Sequence, residues 1–85
     1  MAKCTIRYWA AAKEAAGTAE DLVDADTLGA ALDAARLLHP DDGFLRVLRA
    51  SSLLVDEHPV GRRPHGEVAV ADGTVIEVLP PFAGG

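Results

Sequence analysis

The residues with most chemistry to offer stand in LPPFAGG, Leu79 to Gly85. Gly85 brings a carboxylate with no side chain beside it, and Gly84 before it is equally bare. A narrow channel in another protein can admit backbone that lacks Cβ atoms where it would reject a larger residue. A carboxylate delivered into such a site can attack the α-phosphate of ATP and become an acyl-adenylate. That mixed anhydride is open to a sulfur nucleophile. Gly85 is then the reacting group and other proteins supply the catalysts. Ala83 and Gly84 thread the channel, and Phe82, an odd residue to leave in water, anchors the tail on a partner. Pro80 and Pro81 fix φ and disfavour helix before them, so the chain leaves the body extended. From Pro80 to Gly85 the reach is at most ~20 Å.

Other candidates carry less. His39, His58 and His65 each adjoin a proline or glycine in expected turns and read as exposed loop residues. None has a Cys or His partner at metal-ligand spacing, so no metal site is expected. Cys4 falls early in a strand and reads as a small core residue, with no activating base or helix N-terminus in prospect. No phosphate loop, nucleotide fingerprint or nucleophile elbow occurs, and no cofactor is expected to bind this chain. The acidic runs at Glu20–Asp26, Asp41-Asp42 and Asp56-Glu57 lack the calcium-loop pattern and read as solvated surface.

Charge narrows the choice of partner. Eight Lys and Arg against 13 Asp and Glu give a formal charge of −5. Such a surface repels nucleic acid and anionic membrane. The pair Arg62-Arg63 is too short for a polyanion site and reads as a solvated loop, whereas a basic partner protein suits the balance. The single cysteine allows no internal disulfide and does not suggest an oxidising compartment. MAKCTIRYW lacks a signal-peptide apolar run, and no stretch could span a bilayer; a cytoplasmic location is expected.

The elements that must position the tail are legible. Of the 85 residues, 49% are hydrophobic but only four are aromatic, so one small domain with an aliphatic core is expected. Lys3–Trp9 reads as a strand. AAAKEAAG reads as one or two helical turns closed by Gly17, and Glu20–Asp24 as a short strand. In DTLGAALDAARLLHP, Leu28, Ala31, Leu32, Ala35 and Leu38 fall at helical spacing, with Asp26 or Thr27 as cap and Pro40 as stop. Asp41-Asp42-Gly43 reads as a turn, Phe44–Arg49 as a short helical or irregular piece, and Ser52–Val55 as a strand before a turn at Asp56–Pro59. Asp72-Gly73 between two Val-rich runs is locally a hairpin signal. Val75, Ile76, Val78 and Leu79 read as an interior strand buried on both faces. One helix across one face of a mixed sheet, with the last strand central, is an α+β domain that fits a β-grasp.

On these stretches the chain resembles the ubiquitin-like sulfur carriers of the MoaD family, small subunits of molybdopterin synthase. IRYWAAAKEAAGT looks like the family's opening strand and short helix, TLGAAL like its helix start, and DGTVIEVLPPFAGG like its last strand and tail. The resemblance covers essentially the whole chain, and only the last of these stretches is highly specific. Here VDEHPVG follows the middle strand where the family often has Asn-Gly, and DGTVI replaces its DGDEV. The family's run before DG is an irregular lead-in.

The resemblance implies a ubiquitin-like β-grasp over residues 1–79, one main helix across a mixed sheet, and an extended tail over 80–85. It implies a thiocarboxylate on Gly85 and a chain that is not itself an enzyme. It further implies a MoeB-like E1 adenylyltransferase that uses ATP and Mg, a sulfur donor protein, and a MoaE-like large subunit in a heterotetramer. Sulfur would pass to a cyclic pyranopterin precursor of molybdopterin. The family's apolar docking patch maps onto Trp9, Pro59 and Leu79, of which Trp9 and Leu79 could equally be core. A carrier for thiazole or cysteine synthesis, a protein modifier joined through Gly85 to lysines, and a passive interaction domain stay open as alternatives.

Overall fold

The computed structural model describes residues 1–81. Strand β1 (Ala2–Tyr8) buries Cys4, Ile6 and Tyr8 at alternate positions, as a strand with one covered face must. It pairs antiparallel with β2 (Glu20–Ala25) and parallel with β5 (Val75–Leu79). β5 pairs antiparallel on its other side with β3 (Ser52–Val55), which carries the two-residue β4 (His58–Pro59) at the edge. The sheet order β2-β1-β5-β3-β4 puts the last strand in the middle, as its sequence predicts.

Burial of β5 on both faces is not found. Ile76 and Val78 are buried, but Val75, Glu77 and Leu79 are only half-buried. All the helices cover one face, and the other is bare. The hairpin reading of Asp72-Gly73 also fails. Val68–Val70 forms no strand: the Leu28 N–H donates to Val68 and the Val70 N–H to Asp26 (2.8 and 3.1 Å), and Thr27–Ala69 is an isolated bridge. The lead-in is held by the entrance to α2 rather than by β5.

Three α-helices are present, α2 the longest, where the sequence reads one main helix and two shorter pieces. Helix α1 (Ala10–Ala16) is an alanine run closed by Gly17, whose φ of +74° suits a residue without Cβ and whose N–H returns to the Lys13 carbonyl. Helix α2 (Leu28–Leu38) is capped by Thr27, whose Oγ1 accepts from the Ala30 N–H at 3.1 Å. It buries Leu28, Ala31, Leu32 and Ala35. Leu38, expected in that stripe, is 53% exposed. His39, four residues after Ala35, takes the core-side position instead.

Helix α3 (Asp42–Ala50) begins where a turn was expected, because the Asp41 side chain accepts from the Phe44 N–H at 3.0 Å and caps it. Its buried residues are Phe44 and Leu48. A 3₁₀ turn at His65–Glu67 crosses α2 closely: a Cβ on Gly29 would meet the backbone nitrogen of Gly66 at 3.3 Å.

A polar staple closes the core between β1, β2 and the end of α2. Tyr8 is 1% exposed and its hydroxyl donates to Asp21 Oδ2 at 2.8 Å. His39 Nε2 lies 2.6 Å from the same oxygen, and its ring packs against Tyr8 and Phe44. Burial, then the Asp21 carboxylate, push the Tyr8 phenol far above its ordinary range. Of the three histidines expected in exposed loops, His58 and His65 are exposed and His39 is not.

Candidate functional site

The tail leaves from the centre of the sheet. Leu79, half-buried, sits opposite Ser52 at the end of β5. Pro80 is half-buried and Pro81 exposed as the chain departs between α1 and α3. Pro81 borders a groove of about 850 Å³ over α1, lined by Ala10, Ala11, Lys13 and Glu14 among others. On the other side, Pro80 and Pro81 meet Ala11, Arg46, Val47 and Ala50 around a hollow of about 180 Å³. Two helices thus frame the exit. Phe82, Ala83, Gly84 and Gly85, the heart of the sequence reading, lie outside the described residues.

The apolar residues assigned to docking share the side of the sheet that no helix covers. Trp9 follows β1, is 44% exposed, and its Nε1–H donates to Glu77 at 3.1 Å. Its backbone N–H donates to the Val78 carbonyl, which holds it beside the end of β5. Across the face, Glu77 stands opposite Leu54, and Leu54 opposite the exposed Pro59. Pro59 is therefore two strand spacings from Glu77, roughly 10 Å. Trp9 and Leu79 come together, and Pro59 joins them only through Leu54.

Sequence reasoning missed Arg7, Leu54 and Glu77 on this face. The signal was available in the alternation of IRYW and VIEVL, which puts Arg7 with Trp9 and Glu77 with Leu79. A hollow of about 470 Å³ here is lined by Arg7, Leu54, Val75 and three carboxylates, Asp56, Glu57 and Glu77. The hollow thus carries three carboxylates against the one cation of Arg7.

The hairpin beside it settles the shape of VDEHPVG. Asp56 and Glu57 form a two-residue turn with both φ positive, +48° and +71°. That is the conformation for which hairpins favour Asn-Gly. Asp56 tolerates it because its Oδ1 accepts from the Val75 N–H at 2.9 Å and its own N–H donates back to the Val75 carbonyl.

Cys4 is a fully buried free thiol, pushed up by burial and then by the carboxylates of Asp72, Asp24, Asp26 and Asp56. A thiol so placed is no nucleophile at neutral pH. Among the described residues no group of three or more His, Cys, Asp or Glu could hold a metal ion, and no helix is long and apolar enough to cross a membrane.

Residues 6–85 match the model of the ThiS family. The chain belongs to the ThiS family. Solved structures agree with the ubiquitin-like β-grasp arrangement. Small archaeal modifier protein 1 from Haloferax volcanii is 28% identical, with a TM-score of 0.81 over 98% of this chain and 99% of that one. Its namesake from Methanosarcina acetivorans is 21% identical, with a TM-score of 0.84 over 100% and 98%. Subunits 1 and 2 of the molybdopterin-converting factor from Helicobacter pylori form a protein–protein complex, and the matching chain is 23% identical with a TM-score of 0.68 over 98% and 99%. The two relatives below 25% identity show the fold alone. No curated protein sequence matches the chain.

Proposed function

We propose that this ThiS-family chain is a sulfur carrier whose working group is the carboxylate of Gly85, and that it acts as the small subunit of a molybdopterin synthase. The observation that carries the reading is the departure of the central strand into Pro80-Pro81 between α1 and α3, with the family match continuing through Gly85. The body is a rigid handle and the tail is the tool.

The steps balance as acyl transfers. A carboxylate oxygen of Gly85 attacks the α-phosphate of Mg-ATP in a MoeB-like E1 adenylyltransferase, and pyrophosphate leaves. The outer sulfur of a donor-protein persulfide then attacks the acyl carbon, and AMP leaves; a second thiol cleaves the acyl disulfide so formed, freeing the thiocarboxylate and ending in a disulfide with the donor thiol. The resulting thiocarboxylate enters a MoaE-like large subunit, where its sulfur attacks a cyclic pyranopterin precursor; water then cleaves the acyl–sulfur bond, leaving sulfur on the precursor and a carboxylate on Gly85. Phe82, Ala83 and Gly84 pass through the partner's channel, while Trp9, Leu79 and Pro59 rest on its surface. The complex formed by the H. pylori subunits supports a partner of the second kind. The Mg and ATP belong to the adenylyltransferase, and this chain contributes no catalytic side chain.

A second reading is favoured by the 28% identity to an archaeal modifier protein. Here a lysine amine of a target protein attacks the same acyl-adenylate and forms an isopeptide bond. Incubation with a cognate adenylyltransferase, Mg-ATP and a sulfur donor separates the two. A mass gain equal to one oxygen exchanged for sulfur at Gly85 supports the carrier. Conjugates that survive reducing denaturation support the modifier, and neither product with cognate partners refutes both. Transfer to the pyranopterin precursor, rather than to a thiazole or cysteine precursor, tests the pathway.

A further inference from the structure

The β3–β4 edge of the molecule carries a second surface beside α2 and α3, which shares Leu54 and Pro59 with the docking face and is otherwise unused by the tail chemistry. A groove of about 610 Å³ runs between α2, α3 and the β3–β4 edge. Its floor includes the buried Leu32, Leu48 and Val60, and its rim carries Arg36, Arg49 and His65, with no carboxylate in the lining. In a chain of net charge −5 that is a local reversal of sign.

The cations are placed rather than scattered. Arg63, on the loop after β4, donates from Nε to the Val60 carbonyl and from its guanidinium to the Pro59 carbonyl, both at 3.1 Å. Both acceptors belong to residues that line the groove, and Arg63 itself stands outside that lining. These bonds are to neutral carbonyls, so they fix the guanidinium without cancelling its charge. Arg49 and Arg63 have no ion-pair partner among the described residues, whereas Arg36 meets only Asp33, one turn back on its own helix at 2.8 Å. That last pair is exposed and weak.

We propose that this groove docks an acidic, extended segment of a partner protein, with one apolar side chain against the half-buried Leu53 and Leu54 of its lining and carboxylates against Arg49 and Arg36. Charge complementarity selects the segment's sign, and the apolar lining selects a peptide over a bare anion, which would touch only the rim. The bare sheet face, with three carboxylates in its hollow, suits the opposite kind of partner. The two hollows, which share Leu54, thus carry opposite signs across the β3–β4 edge. This inference goes beyond the sulfur-carrier reading and does not depend on it.

The test uses the full chain and a fluorescein-labelled peptide with two aspartates on each side of a leucine, followed by fluorescence anisotropy at low ionic strength. Backbone amide NMR shifts locate the peptide. Binding is expected with shifts centred on Arg49, Val60 and Gly61. Arg49→Glu should weaken it about tenfold, as reversal of a charge facing an opposite one does. Lys13→Glu, a charge reversal beside the tail exit, should leave it within about twofold. Replacing the peptide's leucine by serine should also cost about tenfold, the worth of one buried aliphatic side chain. Arg49→Ala, milder for folding, should fall between wild type and Arg49→Glu. Equal binding by wild type and Arg49→Glu overturns the proposal, as do shifts confined to the sheet face. Displacement of the peptide by inorganic phosphate at equal concentration would mean a bare-anion site and overturn it. So would concentration-dependent self-association abolished by Arg49→Glu, which would make a second copy the occupant.

Discussion

The Tyr8–Asp21–His39 staple makes a quantitative prediction about alkaline stability. Tyr8 is buried and its hydroxyl donates to a carboxylate, so ionising the phenol in the fold would put two negative charges on one hydrogen bond. Its folded pKa is therefore raised above the ordinary 10.0. A group with a raised folded pKa contributes stability that is present below the unfolded value and lost as pH rises past it. The window thus opens near pH 10 and extends upward. At about pH 11 the unfolded chain has released the Tyr8 proton and the folded chain has not, which costs about 1.4 kcal/mol. Tyr8→Phe removes that contribution while keeping the ring against His39 and Phe44. Urea unfolding of both proteins, from about pH 8 to about pH 11, measures it as a difference in which other alkaline titrations cancel. The variant should be less stable at pH 8 by about 1 kcal/mol for the lost hydrogen bond. Its deficit should then close, and slightly reverse, by pH 11. Parallel curves for the two proteins across the whole range would refute the reasoning.

Other outcomes follow from the same geometry. Glu57→Gly should raise stability by about 0.5–1 kcal/mol, since φ of +71° strains any residue with a Cβ; a lower melting temperature would show that Glu57 makes a compensating contact. Trp9→Ala should weaken binding to a MoaE-like large subunit by at least about tenfold, since the ring's exposed part lies on the bare face. Isothermal titration, corrected for the folded fraction by circular dichroism, checks it. Deleting Gly85, or adding one residue after it, should abolish sulfur transfer and leave the thermal unfolding curve unchanged.

The sequence announced more of the scaffold than of the surfaces. β1, α2, β3 and the central β5 stood out because apolar periodicity is a local signal. It could not tell that only one face of β5 is covered, because that depends on where α1 and α3 lie. Leu38 and His39 exchanged roles for a related reason. Hydropathy ranks Leu above His, yet the position four residues after Ala35 faces Asp21 and Tyr8, and only His can answer both with one ring. Asp72-Gly73 carried a hairpin signal, but the segment before it was already bonded to the start of α2. For the candidate site, Trp9, Pro59 and Leu79 came from the family resemblance rather than from any pattern in the strands. Glu77, Leu54 and Arg7 required the sheet register, and the helical frame of the tail exit required tertiary packing.

The most direct test of the central claim is the intact mass of the protein after incubation with a cognate E1-like adenylyltransferase, Mg-ATP and a sulfur donor. The sulfur-carrier account predicts a gain equal to one oxygen replaced by sulfur, localised by fragmentation to Gly85 and absent from the chain lacking that residue. An unchanged mass with a competent adenylyltransferase, or sulfur found on Cys4 instead, would contradict it.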